Sequence, residues 1–407
     1  MFDIRKNKEG KEKMKERVNK TVQLKFILFC IIGILCIGLF MSSCKKKADK
    51  PLDLGYFTKI GDPSISYDGN QILFDGCGHK DYPRCTIYRF ERSTGKLYRY
   101  MHKNESELIR DGRYSVNSLR FALMTVPLDV KREQQYSDMQ IAIVNQDGSD
   151  FQKVTIGEGV KVAPMLSPDE KTIVFFKGQE RERGKRTAAG KFDLYKVDLR
   201  TGKETQLTRL AFYGVSKPYF TLDGKNIIFE GDSPMRLPNT NDARQFREEY
   251  KQRYCKHIIL KYPVDGSGIE REPVPIITFN ENVDVQLDES FVKMPKQAWG
   301  CGPGSKMPMV TNDGSIWFEG YVGASGGIHY YQRFPNGKTA EITYEQLGLS
   351  PTKFLLKMAV TPDGRWLATL NEERSTGNNR SIRVLDTKTN EHYELTLHGS
   401  VENIFIQ

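Results

Sequence analysis

Four groups of residues in this chain could carry chemistry. Gly323-Ala324-Ser325-Gly326-Gly327 has the G-x-S-x-G spacing of a serine nucleophile. That motif works only where a strand turns sharply into a helix and lifts the hydroxyl clear of the sheet. Here strand-like runs flank it on both sides, so a glycine-rich hairpin loop is expected instead. His79, His102, His257 and His329 could converge on a metal, but no HxH or HxxxH spacing sets two imidazoles on one side of an element. Cys77, Cys85, Cys255 and Cys301 form an even set with no CxxC pair, which favours disulfides over metal. Lys177 to Lys191 (KGQERERGKRTAAGK) nets +4 and could meet an acidic ligand, although a charge run in a loop is usually just solvated. No acid pair or nucleophile triad is visible, and neither catalytic residues, a bound metal nor a cofactor is expected.

The elements that must position these residues come from a repeat. Lys217 to Glu230 (KPYFTLDGKNIIFE) is a hairpin: Pro218 opens a strand, Asp223-Gly224 makes the tight turn, and Asn226 to Glu230 leaves as an apolar strand. Relatives begin at Asp62, Ala163, Met307 and Lys357, spaced by roughly 50 residues or twice that, as in a radial repeat array. A second hairpin follows each one, with turns such as Thr94-Gly95, Thr201-Gly202, Asp265-Gly266, Asn336-Gly337 and Thr389-Asn390. Each unit is thus a four-stranded antiparallel meander. The double-length gap holds a degenerate copy, Val116 to Met124, completed by Met139 to Val144 and Asp147-Gly148. The expected fold is therefore all-β, a propeller of six four-stranded blades, with a seventh possible. Either Tyr56 to Ile60 or Asn403 to Ile406 could close the ring.

Strand order sorts the loops. Turns between strands one and two, and three and four, lie on one face and are tight; the remaining links lie on the other and are long. Long loops on a rigid scaffold usually carry function, so the long-loop face is the expected binding face. Cys77 and Cys85 flank one hairpin loop there, and Cys255 and Cys301 sit in adjacent units, which gives the expected disulfides Cys77–Cys85 and Cys255–Cys301. Within the Gly231 to Lys256 insertion, Asp242 and Gln245 make a capping box for a short helix whose stripe is Phe246, Tyr250 and Tyr254. With Arg247 and Arg253, these residues are the partner-binding candidates, the alternative being a lid that packs down.

The first residues read as an address. A basic segment ending at Lys25 runs into an apolar stretch, Phe26 to Met41, and then Ser42, Ser43 and Cys44. Sixteen apolar residues fall short of a typical membrane span. Met41-Ser42-Ser43-Cys44 resembles the lipobox of bacterial lipoproteins, which implies cleavage before Cys44 and its acylation. The expected layout is a signal peptide over 1–43, a lipidated tether over 44–53 and a propeller over 54–407. Residues 1–43 hold nine Lys/Arg against four Asp/Glu, which accounts for half of the chain's +10. Lys45, Lys46, Lys47 and Lys50 place most of the rest beside lipid headgroups, so nucleic acid is excluded as a partner.

The pattern PxxSxDGxxIxF followed by xIYxxDxxTGxxxxLT resembles the propeller repeat of TolB-type envelope proteins over about 62–397. The resemblance implies the fold and the periplasmic compartment. It does not extend to an α/β domain before the propeller, for which residues 45–61 leave no room, and the Tol-Pal role is not implied. The expected function is a lipid-anchored protein-binding or scaffolding module of the bacterial envelope. Lys45 and Lys46 lack the aspartate that marks inner-membrane retention, so the outer membrane is the expected location. The alternative is a carbohydrate-active enzyme or glycan binder, since propeller-fold pectate-type lyases converge histidines in this way.

Overall fold

A computed structural model of the chain describes residues 52–79, 84–100, 106–117, 119–129, 131, 134–183, 186–209, 212, 214–232, 257–266, 274–277, 304–321, 328–350, 353–373 and 379–401. The chain begins with β1 (Leu52–Ile60) and then builds six blades. Blade 1 is β2 (Ser64–Ile65), β3 (Gln71–Cys77), β4 (Thr86–Glu91) and β5 (Lys96–Arg99). Blade 2 is β6 (Glu107–Tyr114), β7 (Arg120–Pro127), β8 (Gln140–Asn145) and β9 (Gln152–Lys153). Blade 3 is β10 (Val160–Leu166), β11 (Thr172–Arg183), β12 (Arg186–Asp198) and β13 (Glu204–Gln206). Blade 4 is β14 (Tyr219–Phe220), β15 (Asn226–Asp232), β16 (His257–Pro263) and β17 (Val274–Ile277). Blade 5 is β18 (Gly304–Val310), β19 (Ile316–Tyr321), β20 (Ile328–Arg333) and β21 (Thr339–Ile342), and blade 6 is β22 (Lys353–Val360), β23 (Trp366–Glu373), β24 (Asn379–Asp386) and β25 (His392–Val401). Each blade is an antiparallel meander, so the six-bladed architecture expected from the repeat is the one observed.

Both faces of a blade are covered by neighbouring blades, which is why the inner strands read as apolar runs rather than strict alternation. β3 is buried at every position and β7 at its six central ones, whereas β9, on the rim of blade 2, is exposed at both residues. The core is a set of seams between blades. Leu73, Ile87, Phe121 and Leu123 join blades 1 and 2; Phe176, Phe229 and Leu260 join blades 3 and 4; Ile228, Ile259, Phe318 and Tyr331 join blades 4 and 5.

The first-to-second-strand turn explains the repeated Ser/Thr-x-Asp-Gly word. In blade 1 the Ser66 hydroxyl donates to Asp68 Oδ1 at 2.6 Å, and the same carboxylate accepts the Asn70 N–H at 2.9 Å. The Ser66 Oγ in turn accepts the Gln71 N–H at 2.8 Å. Thr221–Asp223 and Thr361–Asp363 repeat this arrangement, each at 2.6 Å, and Thr311–Asp313 at 2.7 Å. Turn backbone that strands cannot pair is thus satisfied locally.

Blade 2 lacks the aspartate and is completed from outside. In blade 3 the glycine position is Glu170, held at φ 55°. Its Oε1 accepts the Ser115 hydroxyl at 2.5 Å and its Oε2 accepts Arg120 Nε at 2.9 Å, both from blade 2. The two departures from the repeat compensate each other: Glu170 gives up the easy left-handed residue in its own turn and supplies the carboxylate missing next door.

The ring closes through β1. It pairs in parallel with β25 from Leu52↔Leu395 to Ile60↔Val401, and its last residues pair antiparallel with Cys77 and Gly76 of β3. Of the two closing segments expected, Asn403 to Ile406 lies outside the described residues. A seam of Phe57, Ile72, Phe90, Ile382 and Leu395 fills this junction. At the turn end Gly69, at φ 69°, lies against Trp366, whose ring also carries the guanidinium groups of Arg92 at 4.1 Å and Arg365 at 5.0 Å.

One expectation is corrected. Lys177 to Lys191 is no loop: β11 and β12 stay paired past the blade to Arg183↔Arg186. The run contains no proline, and its Glu-Arg-Glu-Arg alternation has the two-residue period of a strand, which its charge content masks.

Candidate binding site at the pore mouth

The innermost strands of the blades run toward the tight-turn face and line the central pore. Register shifts interrupt them in blades 2, 3, 5 and 6, between Arg110 and Arg113, Val162 and Met165, Lys306 and Met309, and Leu355 and Lys357. Such bulges re-aim side chains. The position four residues before the turn Ser/Thr holds Asp62 in blade 1, Asp111 in blade 2, Lys217 in blade 4 and Lys357 in blade 6. Lys217 Nζ lies 2.5 Å from Asp62 Oδ2 and Lys357 Nζ lies 3.8 Å from Oδ1, so three blades meet at one carboxylate. Beside it Arg113 donates from Nε and Nη2 to Asp111 Oδ1 at 2.9 and 2.6 Å. Asp111, at φ 52°, directs its N–H to both carboxylate oxygens of Asp75 at 2.9 Å.

The electrostatics follow from burial and pairing. Burial pushes the Asp62 carboxyl up, but Lys217 and Lys357 outweigh it and hold the group well below the usual carboxylate range. Burial lowers the Lys217 ammonium, and Asp62 offsets only part of that. Burial also raises the Tyr219 phenol to about 12, so it stays a neutral donor here.

Above this layer the pore opens through a cavity with about 70 Å³ for the centres of water molecules. Its charged lining residues are Arg113 and Lys217; their partners Asp111 and Asp62 are not in the lining. The rim is the second residue of every first turn: Tyr67, Val116, Pro168, Leu222, Asn312 and Pro362. Tyr67 is 43% and Leu222 53% exposed, a placement that burial does not explain. Neighbouring turns brace one another, with the Asn312 N–H donating to Pro362 O at 2.5 Å. The arrangement offers an apolar collar above hydrogen-bond donors of positive charge. Its room suits a side-chain tip or chain end rather than a whole small molecule, which takes roughly 300 Å³ or more.

The residues expected to act from sequence are distributed otherwise. Cys77 and Cys85 are joined in a disulfide at the end of the β3–β4 hairpin. Cys44, Cys255, Cys301, Phe246, Arg247, Tyr250, Arg253 and Tyr254 lie outside the described residues, as do His102 and the Gly323–Gly327 segment. The strands on either side of that segment pair antiparallel at Tyr321↔Ile328, the hairpin context expected. His79 packs against Phe57 and Tyr88, with ring centroids 4.8 and 5.8 Å away, while His329 Nδ1 meets Glu341 Oε1 at 2.8 Å on blade 5. These two histidines do not converge, and among the described residues no cluster of His, Cys, Asp and Glu could hold a metal ion. The pore mouth itself was overlooked in the sequence. Its available signal was the variable residue between Ser/Thr and Asp in each turn word, apolar in most copies.

A six-bladed propeller with a collared pore is the class of molecule that fold and site define. No family model matches the chain, and no curated protein matches it. Among solved structures it is similar to TolB from Acinetobacter baumannii, at 14% identity and a TM-score of 0.49, covering 84% of this chain and 64% of that one. It is also similar to an oligogalacturonate lyase from Vibrio parahaemolyticus, at 14% identity and a TM-score of 0.48, over 84% of this chain and 77% of that one. A third is the hydrazine synthase of Kuenenia stuttgartiensis, at 16% identity and a TM-score of 0.47, over 82% of this chain and 48% of that one. This chain therefore spans less than two thirds of the TolB structure. At such identities nothing about activity or ligand passes to it.

Proposed function

We propose that this chain is a binding module of a bacterial envelope, tethered to the outer membrane through acylated Cys44, and that its pore mouth takes a segment of a protein partner. The collar is the observation that carries this reading: two large apolar side chains stand in water around a cavity whose charged walls are cationic. An apolar residue of the partner would rest on Tyr67 and Leu222, and an acidic side chain or terminal carboxylate would reach Arg113 and Lys217. The Phe246 to Tyr254 stripe, expected on the opposite, long-loop face, is the rival contact candidate for the partner.

Replacing Tyr67 and Leu222 together by Ser tests this. Both are exposed, so the melting temperature should hold while capture of the partner from envelope extracts falls at least tenfold. Retained capture in that variant, with loss on deletion of 238–253, would transfer the site to the insertion. A uronate-bearing glycan presents the same carboxylate, so competition of capture by acidic oligosaccharide would favour the glycan-binding alternative. Cys44→Ala should leave an unprocessed precursor, and normal processing of that variant would rule out the lipid anchor.

A further inference from the structure

Among the described residues, the Arg92 guanidinium is held by stacking alone, with neither a side-chain hydrogen bond nor an ion pair. Arg92 opens the turn between β4 and β5, where its N–H donates to Asn70 O at 2.8 Å and the Ser93 N–H donates to Asn70 Oδ1 at 2.9 Å. The second turn of blade 1 is thereby tied to the first. The side chain lies across the ring of Trp366 in blade 6, with Cζ 4.1 Å from the ring centre. Gly69 covers another part of the same indole, which is only 8% exposed. Stacking fixes the plane of a guanidinium while its N–H edge stays available.

The acids around it are already committed. Asp386 gives Oδ2 to Arg365, which donates from Nε at 3.2 Å and from Nη2 at 2.9 Å, and gives Oδ1 to the Lys388 N–H at 2.9 Å. Asp68 Oδ1 accepts the Ser66 hydroxyl and the Asn70 N–H within its own turn. Burial lowers the Arg92 guanidinium, and Asp68 and Asp386 restore only part of that. A stack that only clamped blade 6 to blade 1 would need one cation on Trp366. Here there are two, and a carboxylate accompanies Arg365 alone. The place adjoins the pore mouth: Tyr67 stands two residues before Gly69 and Pro362 four before Trp366, so the turns that carry this part of the collar also bound the Arg92 stack.

From this geometry we propose that Arg92 is a second carboxylate-binding point, which takes an acidic side chain of the segment that enters the pore mouth. The inference rests on the pore-mouth reading and adds to it that the partner segment carries two acidic groups, one for Arg113 and Lys217 and one further along for Arg92. A stacked guanidinium presents two N–H groups side by side, the arrangement that matches both oxygens of a carboxylate. A peptide leaving the pore between Tyr67 and Pro362 reaches that edge without quitting the tight-turn face.

The test uses the purified full chain and fluorescent peptides read by anisotropy. Each peptide carries a Leu-Glu pair for the pore mouth and a second Glu two, four or six residues further on in a Gly/Ser chain, and each has a counterpart with Gln at that second position. At one spacing or more, the Glu peptide should bind about tenfold more tightly than its Gln counterpart, as expected of hydrogen bonds to a charged group. Arg92→Gln should erase this difference and leave the Gln peptides bound as by the parent. The peptide comparison on the parent protein stands even where the variant fails to fold. Equal binding of Glu and Gln peptides at every spacing, absence of binding by all of them, or a difference that survives in Arg92→Gln would overturn the inference. Arg92-dependent retention on anionic vesicles without any preference for Glu would also overturn it. Tyr67→Ser with Leu222→Ser separates the two claims: loss of every peptide in that variant, with Arg92→Gln binding like the parent, removes Arg92 and leaves the collar. An Arg92-dependent Glu preference that is undiminished in the collar variant refutes the collar and leaves Arg92.

Discussion

Changing Glu170 to Gly should destabilise the protein even though glycine is the residue the turn prefers. Glycine relieves a left-handed residue, a gain of about 1 kcal/mol. Against this the variant loses the Ser115 hydrogen bond, about 1 kcal/mol, and the Arg120 interaction. The latter is discounted to about 1 kcal/mol because the Arg120 side chain is 27% exposed. The net expectation is a loss of about 1 kcal/mol. Asn117→Asp then gives a sharper test, since it puts the repeat's own carboxylate two residues after Ser115. With Gly at 170 it should recover most of the loss. With Glu at 170 it sets two carboxylates against one hydroxyl and should cost about 0.5 kcal/mol. Urea unfolding of the four proteins, read by fluorescence and circular dichroism with coincident transitions, gives the cycle. If Asn117→Asp has the same sign in both backgrounds, Glu170 does not stand in for the missing aspartate.

Gly69→Ala should cost about 3 kcal/mol, because the new Cβ would lie 2.1 Å from Trp366 as well as in the left-handed region. Gly224→Ala, with Pro168 at 3.9 Å as its nearest neighbour, should cost only about 1 kcal/mol, and equal melting shifts for the two would remove the ring-closure contact from the account. Asp62→Asn should cost about 3 kcal/mol at pH 7. Since the folded carboxyl is held low, its contribution is present above the unfolded value near 4 and fades as pH falls below it. Parent and variant stabilities should therefore converge in acid, and a constant difference down to pH 2 would contradict the pairing. Reducing Cys77–Cys85, which are 8 residues apart, should cost about 2 to 3 kcal/mol; peptide mapping without reduction should recover the pair, and free thiols at both positions would contradict it.

The fold was legible because its repeat is written in backbone necessities. Ser66-Tyr67-Asp68-Gly69 and its copies satisfy a turn locally, so the word survives wherever the turn does. Blade 2 could still be recognised from β8 and Asp147-Gly148, but its latch could not: Glu170 acts 55 residues away from Ser115. Ring closure was only half legible for a similar reason, since parallel pairing of Leu52–Ile60 with β25 joins the two ends of the fold and leaves no local word. The pore was invisible as a site. Asp62, Lys217 and Lys357 come from three blades, and each alone looks like an ordinary charged residue before a hairpin. The Lys177 to Lys191 run was misread because its charges, glutamates among them, conceal a strand's alternation.

The central claim is that the collar meets the partner, and site-specific photo-crosslinking in living cells tests it most directly. A photoreactive residue is placed at 67, at 222, or at 98, where Tyr98 is also exposed but sits on the outer strand β5. Captured proteins are then identified by mass spectrometry. One partner joined from 67 and 222, but not from 98, is the predicted result. Equal yields from all three positions, or capture from 98 alone, would contradict a binding site at the pore mouth.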